Sequence, residues 1–487
     1  MSEMKSLAKD TAIYGLSSII GKFLNYLLVP LYTYALARTA DYGIVTNIYA
    51  WTALLLVILT YGMETGFFRY ANREDYDAKS VYKTAYGALL ISSALFSLLV
   101  VVFQHPIANV LGYPDHSEFV SMMFVTVAID AFACIPFAYL RYQKRPIRFA
   151  VLKLLFVILN IAFNLLFLVV LKKNDVFYVF LSNILATTIQ TLCLLPFTLP
   201  KGGRFEGTIL RDMLRYSLPL LVLGVAGIMN QTLDRILFPY LYTGADAQAQ
   251  LGIYGACFKV AMVMMMFTQA FRYAYEPFVF AKHKDRQSVE AYADAMKYYV
   301  IFSYLILLGV IFYLDIFRYI VSSAYWEGLK IVPIVLWTYV FQGVYFNLSF
   351  WYKLTDETKW GAYFSLIGLA ITLVLQIIGV PLIGYWASCG SSLVCYFCIM
   401  LLSYFLGQKK APIPYDMKRI GLYTLLTLAL LGIYYVIRLN TSLNMWILMA
   451  IGTVLLCIYL AVLNKLDFPL TNYLHVLRNR RNNGSSR

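Results

Sequence analysis

Charge is what this sequence has least of. Only 13% of its 487 residues are Asp, Glu, Lys or Arg, against about a quarter in an ordinary soluble domain. That shortage excludes a water-soluble globular class. Long polar stretches are missing too. No loop between apolar runs is long enough to fold as a catalytic domain, the longest outer one lying near "QHPIANVLGYPDHSE", so any chemistry has to happen among helices. Histidine is scarce: the four (His105, His116, His283, His475) fall in loops or the tail and leave no clustered metal site. Seven cysteines make an odd number. Six (Cys134, Cys193, Cys257, Cys395, Cys398, Cys457) lie within or beside apolar runs and Cys389 in a small-residue patch, which excludes a disulfide framework. "CYFC" at 395–398 reads as helix packing. A contiguous basic domain is also absent. The net charge of +15 is scattered over short loops, so no nucleic-acid partner is expected.

What is present is apolar sequence. Hydrophobic residues make up 61% of the chain, the mean hydropathy is +0.68, and apolar runs of roughly 20 residues recur from end to end, as membrane-crossing helices require. The 41 tyrosines cluster near the ends of those runs, where amphipathic rings settle at the membrane–water boundary. Turn and charge signals predict about fourteen spans, over 11–37, 43–66, 81–103, 119–142, 148–171, 177–199, 214–241, 251–280, 295–314, 330–352, 360–380, 382–406, 419–437 and 443–463. The break between the eleventh and twelfth rests on little more than Val380-Pro381. "YALA" near residue 37 resembles a signal cleavage site, but the preceding segment is too long and carries Lys22, so an uncleaved first helix is expected. About thirty of the 40 basic residues fall on one side and six on the other, which puts that richer side, with both termini, in the cytoplasm. The predicted class is an all-α polytopic membrane protein.

Sliding the chain by 209 residues lays the first two spans on the seventh and eighth. Gly15 falls on Gly224, Leu24 on Leu233, Pro30 on Pro239, Gly43 on Gly252 and Ile44 on Ile253. Both copies start on the same side, so the halves are expected to be related by an axis along the membrane normal, a transporter design that holds substrate between repeats. At 100° per residue, Gly15, Ser18, Lys22, Asn25, Tyr26 and Thr33 share one face of the first span. Their equivalents Gly224, Gly227, Gln231, Asp234, Arg235 and Tyr242 form the same polar stripe on the seventh.

Ionisable groups at membrane depth are costly and usually face a cavity or a partner. Lys22, Asn25, Arg235, Lys259 and Arg272 are the candidate substrate-binding groups; Glu64, Asp130, Asp234 and Glu276 are candidates for proton or sodium coupling. Adjacent helical residues diverge by about 100°, so Asp234 is expected to pair with Lys259 and leave Arg235 open to an anionic ligand. A purely structural network of these three is the other reading. An excess of cations suits a diphosphate, with a forked donor from Arg and a point charge from Lys.

"YGMETGFFRYA" at 61–71, "LDRILFPYLY" with "LGIYGACFKVA" at 233–261, and "DETKWGAYFSLIGLAITLVLQIIGVPLIGYWASCGSSLVCYF" at 356–397 resemble helices two, seven and eight, and eleven and twelve of the Wzx-like lipid-linked oligosaccharide flippases. These are the O-antigen and capsule branch of the multidrug/oligosaccharidyl-lipid/polysaccharide exporter superfamily. The resemblance implies two six-helix bundles, at 1–205 and 206–408, with two added helices and a tail at 409–487. It also implies a transporter rather than an enzyme, with no cofactor, that moves an undecaprenyl-diphosphate-linked oligosaccharide across the bacterial inner membrane by alternating access, among membrane lipids and alongside a polysaccharide polymerase. "GYWASCGSS" departs from the family's small-residue stretch through Tyr385 and Trp386. A lipid II flippase and a multidrug or cation antiporter of the same fold are the competing readings, followed by a membrane polysaccharide polymerase.

Overall fold

The computed structural model describes residues 20–21, 23–24, 26–281, 286–355 and 357–467, and no strand occurs among them. The principal helices are α1 (Leu28–Ala35), α2 (Thr39–Thr60), α3 (Met63–Ala71), α4 (Ala78–Val102), α5 (Ser117–Tyr142), α6 (Pro146–Asn164), α7 (Val176–Thr198) and α8 (Gly207–Leu241). They continue as α9 (Ala247–Val260), α10 (Met262–Ala281), α11 (Arg286–Phe312), α12 (Val332–Leu348), α13 (Lys359–Ile383), α14 (Tyr385–Lys410), α15 (Met417–Asn440) and α16 (Met445–Leu466). Twelve helices among the described residues are long and apolar enough to cross a membrane, and α9 with α10, bent by 46°, adds a thirteenth. These thirteen match the second to fourteenth expected spans. Of the first, 11–37, residues 11–19 together with Lys22 and Asn25 lie outside the described residues, and α1 forms its far end.

Breaks fall where backbone geometry demands them. The second span divides at Tyr61 and Gly62, which take φ of 32° and 68°, a conformation open to glycine and strained for tyrosine. The Gly62 carbonyl accepts from Gly66 N at 3.1 Å, the first bond of α3, and from Ser217 Oγ on α8 at 3.1 Å, which ties the break to α8. The turn between the eleventh and twelfth spans sits at Gly384 (φ 57°), not at Val380-Pro381, and Pro381 stays inside α13. Proline lacks a donor, but within the last turn the chain tolerates it; the glycine is what reverses direction. Tyr385 packs to 5% exposure while Trp386 stays 38% exposed. Beside them Ser388, Gln376 and Ser391 satisfy one another through hydrogen bonds of 2.8–3.2 Å. All seven cysteines are free.

The repeat has a structural consequence. Helices α2 and α9, equivalents under the 209-residue shift, pack against each other at Gly43 and Gly252. A Cβ on Gly43 would run into the Gln248 carbonyl, and one on Gly252 would run into the carbonyl of Thr39, the residue equivalent to Gln248. Gly255 likewise rests on Thr46, its own equivalent. Reciprocal contact of this kind is what a two-fold axis produces.

The chain forms two compact units, one of residues 1–281 and 320–412, the other of 282–319 and 413–487. The second gathers α11 with α15 and α16. Within it, Arg438 grips Asp315 by two hydrogen bonds of 2.9 and 3.0 Å, and Tyr459 donates to Ile301 O at 2.8 Å. Tyr304 and Thr424 share a bond of 2.9 Å.

Candidate functional site

A cavity of about 310 Å³ opens within the first unit, between the repeat-related helices. Its polar lining comes from Tyr32 on α1, Tyr42, Thr46 and Tyr49 on α2, Asn160 on α6 and Asn183 on α7. Thr232 and Arg235 on α8 and Lys259 on α9 complete it. Both cations belong to the second repeat; the residues equivalent to them in the first are Tyr26 and Ala50. Among the described lining residues there is no carboxylate. The lining therefore favours an anion, with hydroxyls and amides nearby that suit phosphate or sugar oxygens.

Arg235 is held on several sides. Its Nη2 donates to Gln231 O at 2.6 Å, its Nε lies 3.4 Å from Asp234 Oδ1, and its guanidinium stacks 4.6 Å from the centre of the Phe258 ring. This arrangement fixes the fork and leaves its side chain 18% exposed. The expected pairing of Asp234 with Lys259 does not occur. Asp234, at 3% exposure, bonds Arg235 and accepts from the Tyr254 hydroxyl. It turns away from the cavity rather than sharing the lined stripe with its neighbour. The side chain of Arg235 is long enough to fold back to the carboxylate of the residue before it. Lys259 makes no ion pair with a described residue, and its ammonium remains for the cavity.

The other candidates separate. Lys22 and Asn25 lie outside the described residues, as does the side chain of Glu276. Arg272 is not among the cavity's lining residues; it stacks 4.6 Å from the centre of the Phe346 ring. Glu64 is paired with Arg141 and accepts from Cys134 Sγ at 3.2 Å, so its charge is already balanced by protein. Asp130 lies within electrostatic range of Lys153 and of the cavity tyrosine Tyr49. Lys153, within the expected span 148–171 but not among the candidate charges, sits inside α6, with its ammonium 3.9 Å from the centre of the Phe137 ring. Asn160 and Asn183 were also missed, because uncharged amides in apolar runs carry no sequence signature.

The family model for "Polysaccharide biosynthesis protein" matches residues 7–274, more than half the chain. The chain belongs to that family. No curated protein sequence matches it. Among solved structures it is similar to the lipid II flippase MurJ in an inward closed conformation, with TM-score 0.74 and 15% identity over 92% of this chain and 99% of that one. An inward-facing multidrug resistance MATE transporter of the MOP superfamily gives TM-score 0.64 and 12% identity over 79% and 93%. A MOP superfamily transporter from Pyrococcus furiosus, described by the reverse polarity of its binding pocket, gives 0.52 and 14% over 82% and 95%. At such identities the likeness establishes the fold: this family member is a multi-pass membrane protein with the MOP transporter architecture.

Proposed function

We propose that this chain is a flippase that carries an undecaprenyl-diphosphate-linked oligosaccharide from the cytoplasmic to the outer leaflet of the inner membrane. The observation that carries this reading is the cavity between repeat-related helices, with Arg235 and Lys259 on its wall and no carboxylate among its described lining residues. A binding site for drug cations would call for the opposite charge. Its volume stands at the low end of ligand sites, enough for a diphosphate and adjoining sugar while the lipid tail stays outside. The reading takes 1–205 and 206–408 as the two bundles and 409–487 as an addition, with both termini cytoplasmic. In that orientation the Gly43–Gly252 seam closes the outer end. Alternating access is driven by an ion, and Asp130, within electrostatic range of Lys153 and Tyr49, is the site we assign to it. A ligand shifts such an equilibrium only by its unequal affinity for the two states.

The similarity to MurJ keeps lipid II as a second cargo, since both headgroups present a diphosphate. The test is flipping in proteoliposomes with fluorescent undecaprenyl-diphosphate oligosaccharide, lipid II and a cationic dye offered separately. Arg235→Ala and Lys259→Ala should each slow transport of the preferred diphosphate lipid by about 10- to 150-fold, the worth of a charge-assisted hydrogen bond of roughly 1.5–3 kcal/mol. Transport of the dye, or normal flipping by both variants, overturns the proposal.

A further inference from the structure

Arg235 has a second role that its side chain does not reveal. In an α-helix the carbonyl of residue i accepts from the N–H of residue i+4. Four residues beyond Arg235 stands Pro239, inside α8, and proline has no N–H. The Arg235 carbonyl is therefore without a donor in its own helix. Asn47 on α2 supplies one: its Nδ2 donates to Arg235 O at 2.7 Å. Asn47 is fully buried, and its other amide end is used as well, Oδ1 accepting from the Tyr113 hydroxyl at 2.8 Å. That hydroxyl accepts in turn from Gln248 Nε2 at 3.2 Å. Gln248 opens α9, and its own carbonyl is the one on which Gly43 rests. One line of hydrogen bonds thus joins the backbone of a cavity cation to the seam between repeats.

We infer that Asn47 is a latch, a positioning residue that ties the placement of Arg235 to closure of the Gly43–Gly252 seam. When the seam parts, Asn47 withdraws from α8. The Arg235 carbonyl then has neither a helical nor a cross-repeat donor, and α8 is released to bend at Pro239 and carry the guanidinium with it. Opening of the seam and movement of the cargo-binding cation become one event. The latch is single. The residue equivalent to Asn47 is Ala256, which has no amide to offer, although Pro30 repeats Pro239. The inference rests on the proposed transport only in naming the event it serves; the latch itself is read without transport.

The test is hydrogen exchange of the full chain in lipid nanodiscs, following segment 236–250 against α6 and α7. Single hydrogen bonds between membrane helices are worth about 0.6–1.7 kcal/mol. Asn47→Ala should therefore raise exchange in 236–250 by about 3- to 18-fold and leave α6 and α7 unchanged. Pro239→Ala restores a helical donor to the Arg235 carbonyl, so in that background Asn47→Ala should change exchange less than about twofold. Should Asn47→Ala fail to assemble, Asn47→Ser, too short to reach the carbonyl, reads the same bond in the same two backgrounds. Unaltered exchange, or an equal increase with and without Pro239, overturns the latch. Because transport is not the readout, a failed flipping assay and a failed latch are separate results.

Discussion

Replacing Gly43 by alanine tests the reciprocal seam directly. An added Cβ would stand 2.7 Å from the Gln248 carbonyl carbon and 3.1 Å from the Gly252 nitrogen, besides meeting the Gln248 oxygen. Backbone cannot rotate aside as a side-chain tip can, so α2 and α9 must part by roughly 1 Å. A gap of that size forfeits about a quarter to a half of each dispersion well along the contact. Over-packing costs about 1–3 kcal/mol, and the gain in helix propensity from Gly to Ala returns up to about 1 kcal/mol. Contact with backbone rather than a side-chain tip puts the cost at about 2–3 kcal/mol, so the net expectation is about 1–2 kcal/mol against the closed seam, a shift of about 5- to 30-fold toward its open form. Hydrogen exchange at 39–47 and 248–256 reads that shift. Gly252→Ala should match it, and the double variant should fall short of the sum, because both substitutions separate the same two backbones. Gly432→Ala is the control, since nothing lies within 4 Å of a Cβ there. Seam variants no different from that control, or strictly additive, would refute the two-fold contact.

Other expectations follow from contacts away from the seam. Arg438→Ala leaves Asp315, with 9% of its side chain exposed, facing Arg318 at 4.0 Å as its one remaining cation among the described residues. It should cost about 3 kcal/mol in denaturant unfolding, at the lower end for a broken buried pair; a neutral result would show the pair to be ornamental. Outside the spans, the Lys410 ammonium and then the Trp360 N–H, at 2.7 Å, hold the Glu357 carboxyl below its ordinary range. A depressed folded value means that this contribution is present above the ordinary carboxylate pKa and is lost as pH falls through the folded one. Protection of 355–362 should therefore weaken on acidification in the native chain, and Glu357→Gln should flatten that dependence. Asp130→Asn should abolish the effect of an imposed proton or sodium gradient on flipping while preserving exchange down a substrate gradient. Retained gradient dependence would remove Asp130 from coupling.

The sequence was enough to determine that this chain spans a membrane many times, because the need for roughly 20 apolar residues per crossing acts locally. All thirteen described spans, including the bent pair, were legible on that ground. The repeat was legible at Gly43 and Gly252 because backbones in contact admit no side chain, and that constraint is written in residue identity. Arg235 and Lys259 stood out because a charge in an apolar run is conspicuous wherever it points. What tertiary structure alone decided was partnership. Asp234 bonds Arg235 and Tyr254 rather than Lys259, Glu64 is taken by Arg141, and the Lys153 ammonium lies over the Phe137 ring. Asn47, one amide among many, gains its role only because Pro239 leaves a carbonyl bare on a helix nearly two hundred residues away. Periodicity places a side chain on its own helix. Which donor meets which acceptor depends on how two helices approach, and no local pattern records that.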